Sequence, residues 1–269
     1  LNIALAGTGV GKSLFMCHVA SSCLLQGRNV LYITCEMAEE KIAERIDANL
    51  LDIPIQQLQD PLLTKQKYRA KMDVLKKKTQ GKLVIKEYPT ASAHVGHFKA
   101  LLNELSLKKG FHPEIIFVDY LNICASSRYK GTIVNSYTYV KAIAEELRGL
   151  AGEYNVPILS ATQTTRSGYG NSNVEITDTS ESFGLPATAD LMFALISTED
   201  MEELNQIMVK QLKNRYNDPT VYKRFVLGID RQKMRLYDCE QGAQDNIIDA
   251  GDAPKSFTDT KKSFEGFKI

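Results

Sequence analysis

The sequence predicts an α/β fold, a doubly wound and mostly parallel sheet with helices on both faces and an antiparallel extension near its C-terminal end. Three observations carry this. Short, continuous apolar runs at 1–6, 30–35, 115–119 and 157–162 alternate with helical patterns, as expected of parallel strands buried on both faces. A glycine-rich turn joins the first run to the first helix. Past residue 205 the pattern changes to strands without helices between them.

In chain order, 1–6 is a strand entering the glycine-rich turn, and 12–26 is a helix stopped by Gly27. Residues 30–35 form the second strand and 38–51 the next helix. A lysine-rich stretch then interrupts the rhythm, and 52–82 reads as a helical insertion whose charges form a solvated face. Strands at 83–86, 115–119, 157–162 and 191–194 follow, with helices at 94–107 and 137–154. A long polar loop of Thr, Ser, Gly, Asn and Asp occupies 164–180, a length usually tied to function. Strands at 206–213, 222–230 and 233–238 come last, the final two as a hairpin turning at 230–232. Residues 1–239 thus read as one domain, and 240–269, without periodicity, as a flexible tail. The chain opens at Leu1, without Met and already inside a strand, and so reads as a fragment of a longer protein.

Lys plus Arg number 33 against 32 Asp plus Glu, a net charge of +1, so any nucleic-acid surface must be local. The five cysteines (17, 23, 35, 124 and 239) are odd in number and never at CxxC spacing, which argues against a disulfide framework or a zinc site. They read as small buried residues in a reducing compartment. No apolar run reaches membrane-spanning length, and no membrane partner is expected.

The chemistry starts at Gly7-Thr8-Gly9-Val10-Gly11-Lys12-Ser13. Backbone N–H groups of such a loop, with a helix N-terminus beneath, suit the several negative charges of ATP. Lys12 would reach the β/γ-phosphates and the Ser13 hydroxyl would ligate Mg²⁺. Ala6 stands where the usual pattern has its first glycine. A second acid, Asp119, ends the apolar run 115–119, the position from which P-loop folds hold Mg²⁺ through water. Glu36 follows the second strand; from spacing it either activates the attacking water or caps the next helix.

Glu36-Met37, Asp119-Tyr120-Leu121, Ser160-Ala161-Thr162-Gln163 and Lys213-Asn214-Arg215, each after a strand, together resemble the DnaB-type hexameric replicative helicases. The run Leu185-Pro186-Ala187-Thr188-Ala189-Asp190, with 41–51 and 137–150, is more similar still to the T-even-like bacteriophage members. The resemblance covers roughly 1–240 and implies a RecA-like motor domain. It implies Lys12 and Ser13 on phosphate and Mg²⁺, Glu36 as catalytic base, Asp119 as the Mg²⁺-linked acid and Gln163 as γ-phosphate sensor. Lys213 and Arg215 would reach into a neighbouring subunit's ATP. It further implies a homo-hexameric ring, 5′→3′ movement on single-stranded DNA, primase and loader partners, and work in the cytoplasm of a phage's bacterial host. The family's N-terminal domain is missing from this chain.

DNA-facing candidates are Arg128, Tyr129 and Lys130 in one loop and Arg166 and Tyr169 in another, where positive charge and aromatic faces suit a single strand. The resemblance adds Glu181 and Phe183 of Ser180-Glu181-Ser182-Phe183. That motif departs from the pattern, because many relatives carry a basic residue at Ser180 and glycine at Phe183. A filament-forming RecA-like recombinase and a P-loop small-molecule kinase are the rival readings; the first lacks the Lys213-x-Arg215 arrangement, and the second needs a lid and acceptor pocket not evident here. A non-catalytic nucleotide-binding regulator is disfavoured by intact Glu36 and Asp119.

Overall fold

The structure is a computed structural model describing residues 1–58, 65–129, 134–164, 174–179, 184–218, 220–240 and 244. Nine strands form one sheet: β1 (Asn2–Ala6), β2 (Val30–Thr34), β3 (Leu83–Glu87), β4 (Ile115–Asp119), β5 (Ile158–Gln163), β6 (Leu191–Ile196), β7 (Gln206–Asn214), β8 (Arg224–Asp230) and β9 (Arg235–Asp238). Their spatial order is β3-β2-β4-β5-β1-β6-β7-β8-β9. The first six in that order run parallel, and β7, β8 and β9 continue antiparallel. The expected class holds in both its parts.

The central strands are apolar throughout because alternate side chains enter two different cores. Ile3, Leu5, Leu31, Ile33, Ile116 and Val118 join one. They pack with Phe98, Leu102 and Leu105 of α5 (Val95–Lys109) and Ile143 and Leu147 of α6 (Ser136–Glu153). Ala4, Ala6, Val30, Tyr32 and Phe117 join the other. There they meet Leu14, Met16, Cys17 and Ala20 of α1 (Lys12–Leu25) and Ile42 and Ile46 of α2 (Glu39–Leu51).

The insertion is built from α3 (Ile55–Leu58) and α4 (Lys65–Lys78). It is tied to its surroundings. Tyr68 donates to Asp47 of α2 at 2.5 Å, Ile55 N–H donates to Gln232 O at 2.9 Å, and Asp52 pairs with Arg235 at 2.8 Å and Lys233 at 3.1 Å. Its first residues therefore brace the β8–β9 hairpin. That hairpin turns later than expected. Asp230 pairs with Arg235, so the turn spans 231–234 and Lys233 lies in it. The Asp230 carboxylate accepts from Lys233 N–H at 3.0 Å, the side-chain-closed turn that aspartate favours. Two short helices had no periodicity long enough to read: α7 (Gly184–Thr188) and α8 (Glu199–Glu203). Within the polar loop a 3-10 turn covers Ile176–Asp178. Apart from Glu240 and Gln244, the expected tail lies outside the described residues.

Candidate functional site

β1 delivers the chain into the phosphate loop at the carboxyl edge of the sheet. Ala6 is its last residue, fully buried and paired with Gln163 and Leu195. Strand backbone accepts alanine as readily as glycine, which explains the departure from the usual pattern. The loop's left-handed positions are Gly9, at φ 82°, and Gly11, at φ 122°, where a side chain would be strained. Helix α1 begins with no side-chain cap and no acid in its first turn. Its first N–H groups are thus left for an anion, with the helix dipole behind them.

Lys12 is almost fully buried, and its ammonium donates to Gly7 O at 3.1 Å and Ala6 O at 3.4 Å. Burial pushes its pKa down, and the nearby carboxylates of Glu36 and Asp119 pull it back up. The ammonium lies 5.8 Å from the Tyr120 ring centroid, and the Tyr120 hydroxyl accepts from Gln163 Nε2 at 3.0 Å. A continuous line of contacts therefore joins the end of β5 to the phosphate-loop lysine. Glu36 stands exposed just past β2, beside Cys35, whose N–H donates to Asp119 O at 2.8 Å.

Asp119 is fully buried. Its Oδ2 accepts from the Tyr32 hydroxyl at 2.8 Å, while Oδ1 has no hydrogen-bond partner among the described residues. A buried carboxylate oxygen left unpaired is costly, and a divalent cation resolves the cost. With the Ser13 hydroxyl beside it, the pair is an all-oxygen donor set of the kind Mg²⁺ takes. The residues fit that ion.

Burial raises the Asp119 pKa against the opposing pull of the Tyr32 and Ser13 hydroxyls. A carboxyl whose folded pKa lies above its unfolded value loses stability as pH rises through the interval between them. Asp119→Asn is accordingly expected to stabilise the metal-free fold at neutral pH by about 1–3 kcal/mol and to flatten this part of its pH dependence. Thermal unfolding between pH 4 and 8 measures both.

Lys213 and Arg215 stand elsewhere. β7 runs antiparallel to β6, with Lys213 opposite Met192 and Asn214 opposite Leu191, and Leu191 is itself level with Asn2. The pair sits at the amino edge of the parallel strands. Four residues of β1, about 13 Å of strand, separate that edge from Ala6 and the phosphate loop. Lys12, Ser13, Glu36, Asp119 and Gln163 come together; Lys213 and Arg215 do not join them within one chain.

The profile of the family described as DnaB-like helicase C terminal domain matches residues 1–224. The chain belongs to that family. A DnaB-like replicative helicase of Enterobacteria phage T4 is 46% identical over 242 residues, covering 90% of this chain and 51% of the relative. The replicative DNA helicase DnaB of Helicobacter pylori is 25% identical over 194 residues, covering 71% of this chain and 38% of the relative. The chain spans about half the length of the first of these and less of the second. Among solved structures, a DnaB-like replicative helicase studied with its primase interactions superposes with a TM-score of 0.73 at 17% identity, over 89% of this chain and 57% of that one. A second solved structure, an isolated ATPase domain, gives the same score and identity over 89% of this chain and 84% of that one. At this identity the two structures establish the shared fold.

In this DnaB-like domain the first candidate DNA loop is anchored at its base. The nearly buried Glu146 of α6 accepts from Ser126 Oγ at 2.6 Å, Ser127 N–H at 2.9 Å and Arg128 N–H at 3.3 Å. Arg128 is exposed and donates to Glu145 at 2.5 Å, and Tyr129 is half-buried. Lys130, Arg166, Tyr169, Glu181 and Phe183 lie outside the described residues. Reading by sequence gave no part in the site to Tyr32 or Tyr120. Tyr120 was visible only as the middle letter of a strand-end motif, and Tyr32 lies inside an apolar strand whose pattern gives no hint of its hydroxyl. No helix among the described residues is long and apolar enough to cross a membrane.

Proposed function

We propose that this chain is the motor domain, residues 1–239, of a replicative DNA helicase that hydrolyses ATP at the interfaces of a homo-hexameric ring. The observation that carries the reading is the separation of Lys213 and Arg215 from the phosphate loop, at opposite edges of one sheet. A complete set of catalytic groups then needs two copies of the chain, each lending its amino edge to the other's nucleotide.

The phosphate loop and Lys12 hold the β/γ-phosphates; Ser13 and Asp119 would hold Mg²⁺, which when bound would offset the negative charge of the phosphates. Glu36 orients a water and takes its proton as the oxygen attacks the γ-phosphorus and the bond to ADP breaks. Arg215, assisted by Lys213, supplies positive charge to the transferring group from the neighbour. Gln163 senses the γ-phosphate. When Lys12 leaves the Gly7 and Ala6 carbonyls for phosphate, the Tyr120 ring between them carries the change to Gln163. Single-stranded DNA is assigned to Arg128 together with the sequence candidates Lys130, Arg166, Glu181 and Phe183. The motif resemblance extends the reading to 5′→3′ movement, a loader, a primase partner and work in the cytoplasm of a phage's host, and the solved DnaB-like helicase studied with its primase supports the primase.

ATP hydrolysis at rising protein concentration, with and without single-stranded DNA, tests the reading. The rate per subunit rises with both in full-length protein; a rate indifferent to both would return the kinase-like reading. The DNA face has its own test. Glu145 neutralises Arg128 in the free chain, so Glu145→Gln is expected to tighten single-strand binding by up to about fivefold, the worth of one exposed ion pair. Fluorescence anisotropy at low and high salt measures it.

A further inference from the structure

The run Leu185-Pro186-Ala187-Thr188-Ala189-Asp190 contributes nothing to the nucleotide edge, yet it makes a dense set of contacts at the other one. The last carbonyls of a helix have no partners within it, and around α7 they are met by two cations. Lys213 Nζ donates to Pro186 O at 2.6 Å and to Ala187 O at 3.2 Å. Arg215 Nη2 donates to Ala187 O at 3.0 Å and to Ala189 O at 3.5 Å. Arg215 N–H donates to Asp190 O at 2.8 Å, and its Nε pairs with Asp190 Oδ1 at 2.9 Å. Among the described residues Arg215 Nη1 makes no hydrogen bond, and its side chain is 37% exposed.

Asp190 is the hub. Its carboxylate also takes Arg148 Nη2 at 3.0 Å, the Leu1 nitrogen at 2.8 Å and the Tyr216 hydroxyl at 3.4 Å. Partial burial opposes its charge, and the hydrogen bonds and charge of Arg148 counter this and draw its pKa below the usual carboxylate range. Lys213, Arg148 and Arg215 outnumber the single carboxylate, so the cluster stays cationic. It borders an open polar cleft of about 940 Å³ lined by Arg148, Asp190, Arg215 and Tyr216.

We propose that 185–190 is the seat of the Lys213–Arg215 pair and that Asp190 is its positioning residue. Nε and Nη2 of Arg215 are fixed by a carboxylate and two carbonyls. Nη1 is left pointing to a phosphoryl oxygen on the neighbour, in an orientation set before the neighbour arrives. The chain enters α7 straight from 180–183, so the seat is contiguous in sequence with candidate DNA contacts. This proposal rests on the shared-site reading.

The experiment mixes subunits of full-length protein. Asp190→Asn is expected to lower kcat for DNA-stimulated ATP hydrolysis about 10²-fold, the cost of a misplaced catalytic group, with KM for ATP within about threefold. A Lys12→Ala subunit cannot use its own nucleotide but keeps an intact seat. Mixed with Asp190→Asn, it restores activity well above either variant alone, which a mere folding defect would not allow. Mixtures that only dilute the Asp190→Asn rate, or an Asp190→Asn rate equal to wild type, overturn the seat. Arg215→Ala run alongside separates the two ideas. If it neither loses activity nor is rescued by Lys12→Ala, the shared site itself fails; if it behaves as expected while Asp190→Asn is normal, only the seat fails. Should Asp190→Asn not fold, Asp190→Glu, which keeps the charge at a longer reach, is read in the same mixtures. Partial loss with rescue supports the seat, and wild-type kcat refutes it.

Discussion

Arg215→Ala lowers ATP hydrolysis by about 10³-fold or more in the assembled, full-length protein and leaves nucleotide binding close to wild type. The size of the loss follows from the chemistry. On the shared-site proposal, charge developing on the transferring phosphoryl group would be met by a guanidinium held by Asp190 and the α7 carbonyls, and alanine leaves nothing in its place. The placement is equally specific, because Arg215 sits at the sheet edge opposite Lys12 of its own chain. The variant is therefore expected to lose the rise of rate with protein concentration, while isolated subunits hydrolyse ATP no more slowly than wild-type ones. Steady-state kinetics over a concentration series, with binding followed by a fluorescent ATP analogue, decides it. Equal losses at every concentration would place Arg215 in its own subunit's chemistry.

Glu36→Gln is the second large effect, a fall in kcat of about 10²–10⁴-fold with ATP and Mg²⁺ still bound. Glu36 is exposed at the end of β2 and makes no structural hydrogen bond among the described residues, so glutamine replaces it without disturbing the fold. The amide keeps the shape and the ability to orient water but cannot take the proton. Single-turnover hydrolysis isolates the chemical step, and a stable ATP-bound ring on single-stranded DNA is the accompanying expectation. A helix-capping role for Glu36 predicts the reverse pattern, a lower unfolding temperature with kcat little changed. The structure already weighs against that role, because the residue before α2 is Ala38 and the first N–H of the helix, that of Glu39, donates to Glu87 at 3.2 Å and not to Glu36.

The sheet was legible in the sequence because its central strands are buried on both faces, and unbroken apolar runs such as 115–119 leave little choice. The phosphate loop was legible for a different reason: glycines with positive φ followed by Lys12 and Ser13 have few other uses. The contacts that tune the site were not. Tyr32 looks like any half-apolar strand residue until Asp119 on the neighbouring strand is seen 2.8 Å from its hydroxyl. The separation of Lys213 and Arg215 from Lys12 depends on β7 running against β6, and no single segment records a strand's direction. Helix α7 is five residues long, too short for a 3.6-residue period to register. Its importance comes from outward-facing carbonyls, which every residue possesses and no letter of the sequence marks.

Strand β1 has its amino end among the contacts of Asp190 and its carboxyl end at the phosphate loop. It is flanked by β5 and β6 and sandwiched between two close-packed cores. Such a strand behaves as a fixed gauge: its length cannot change without tearing the ladder on both sides. In the proposed ring, the interval between the nucleotide a subunit holds and the one it would help to cleave is set by this gauge and would be the same at every stage of the cycle. On the proposed reading, the advance along DNA would come from whole subunits tilting against one another, with the joint at the interface and none inside the sheet.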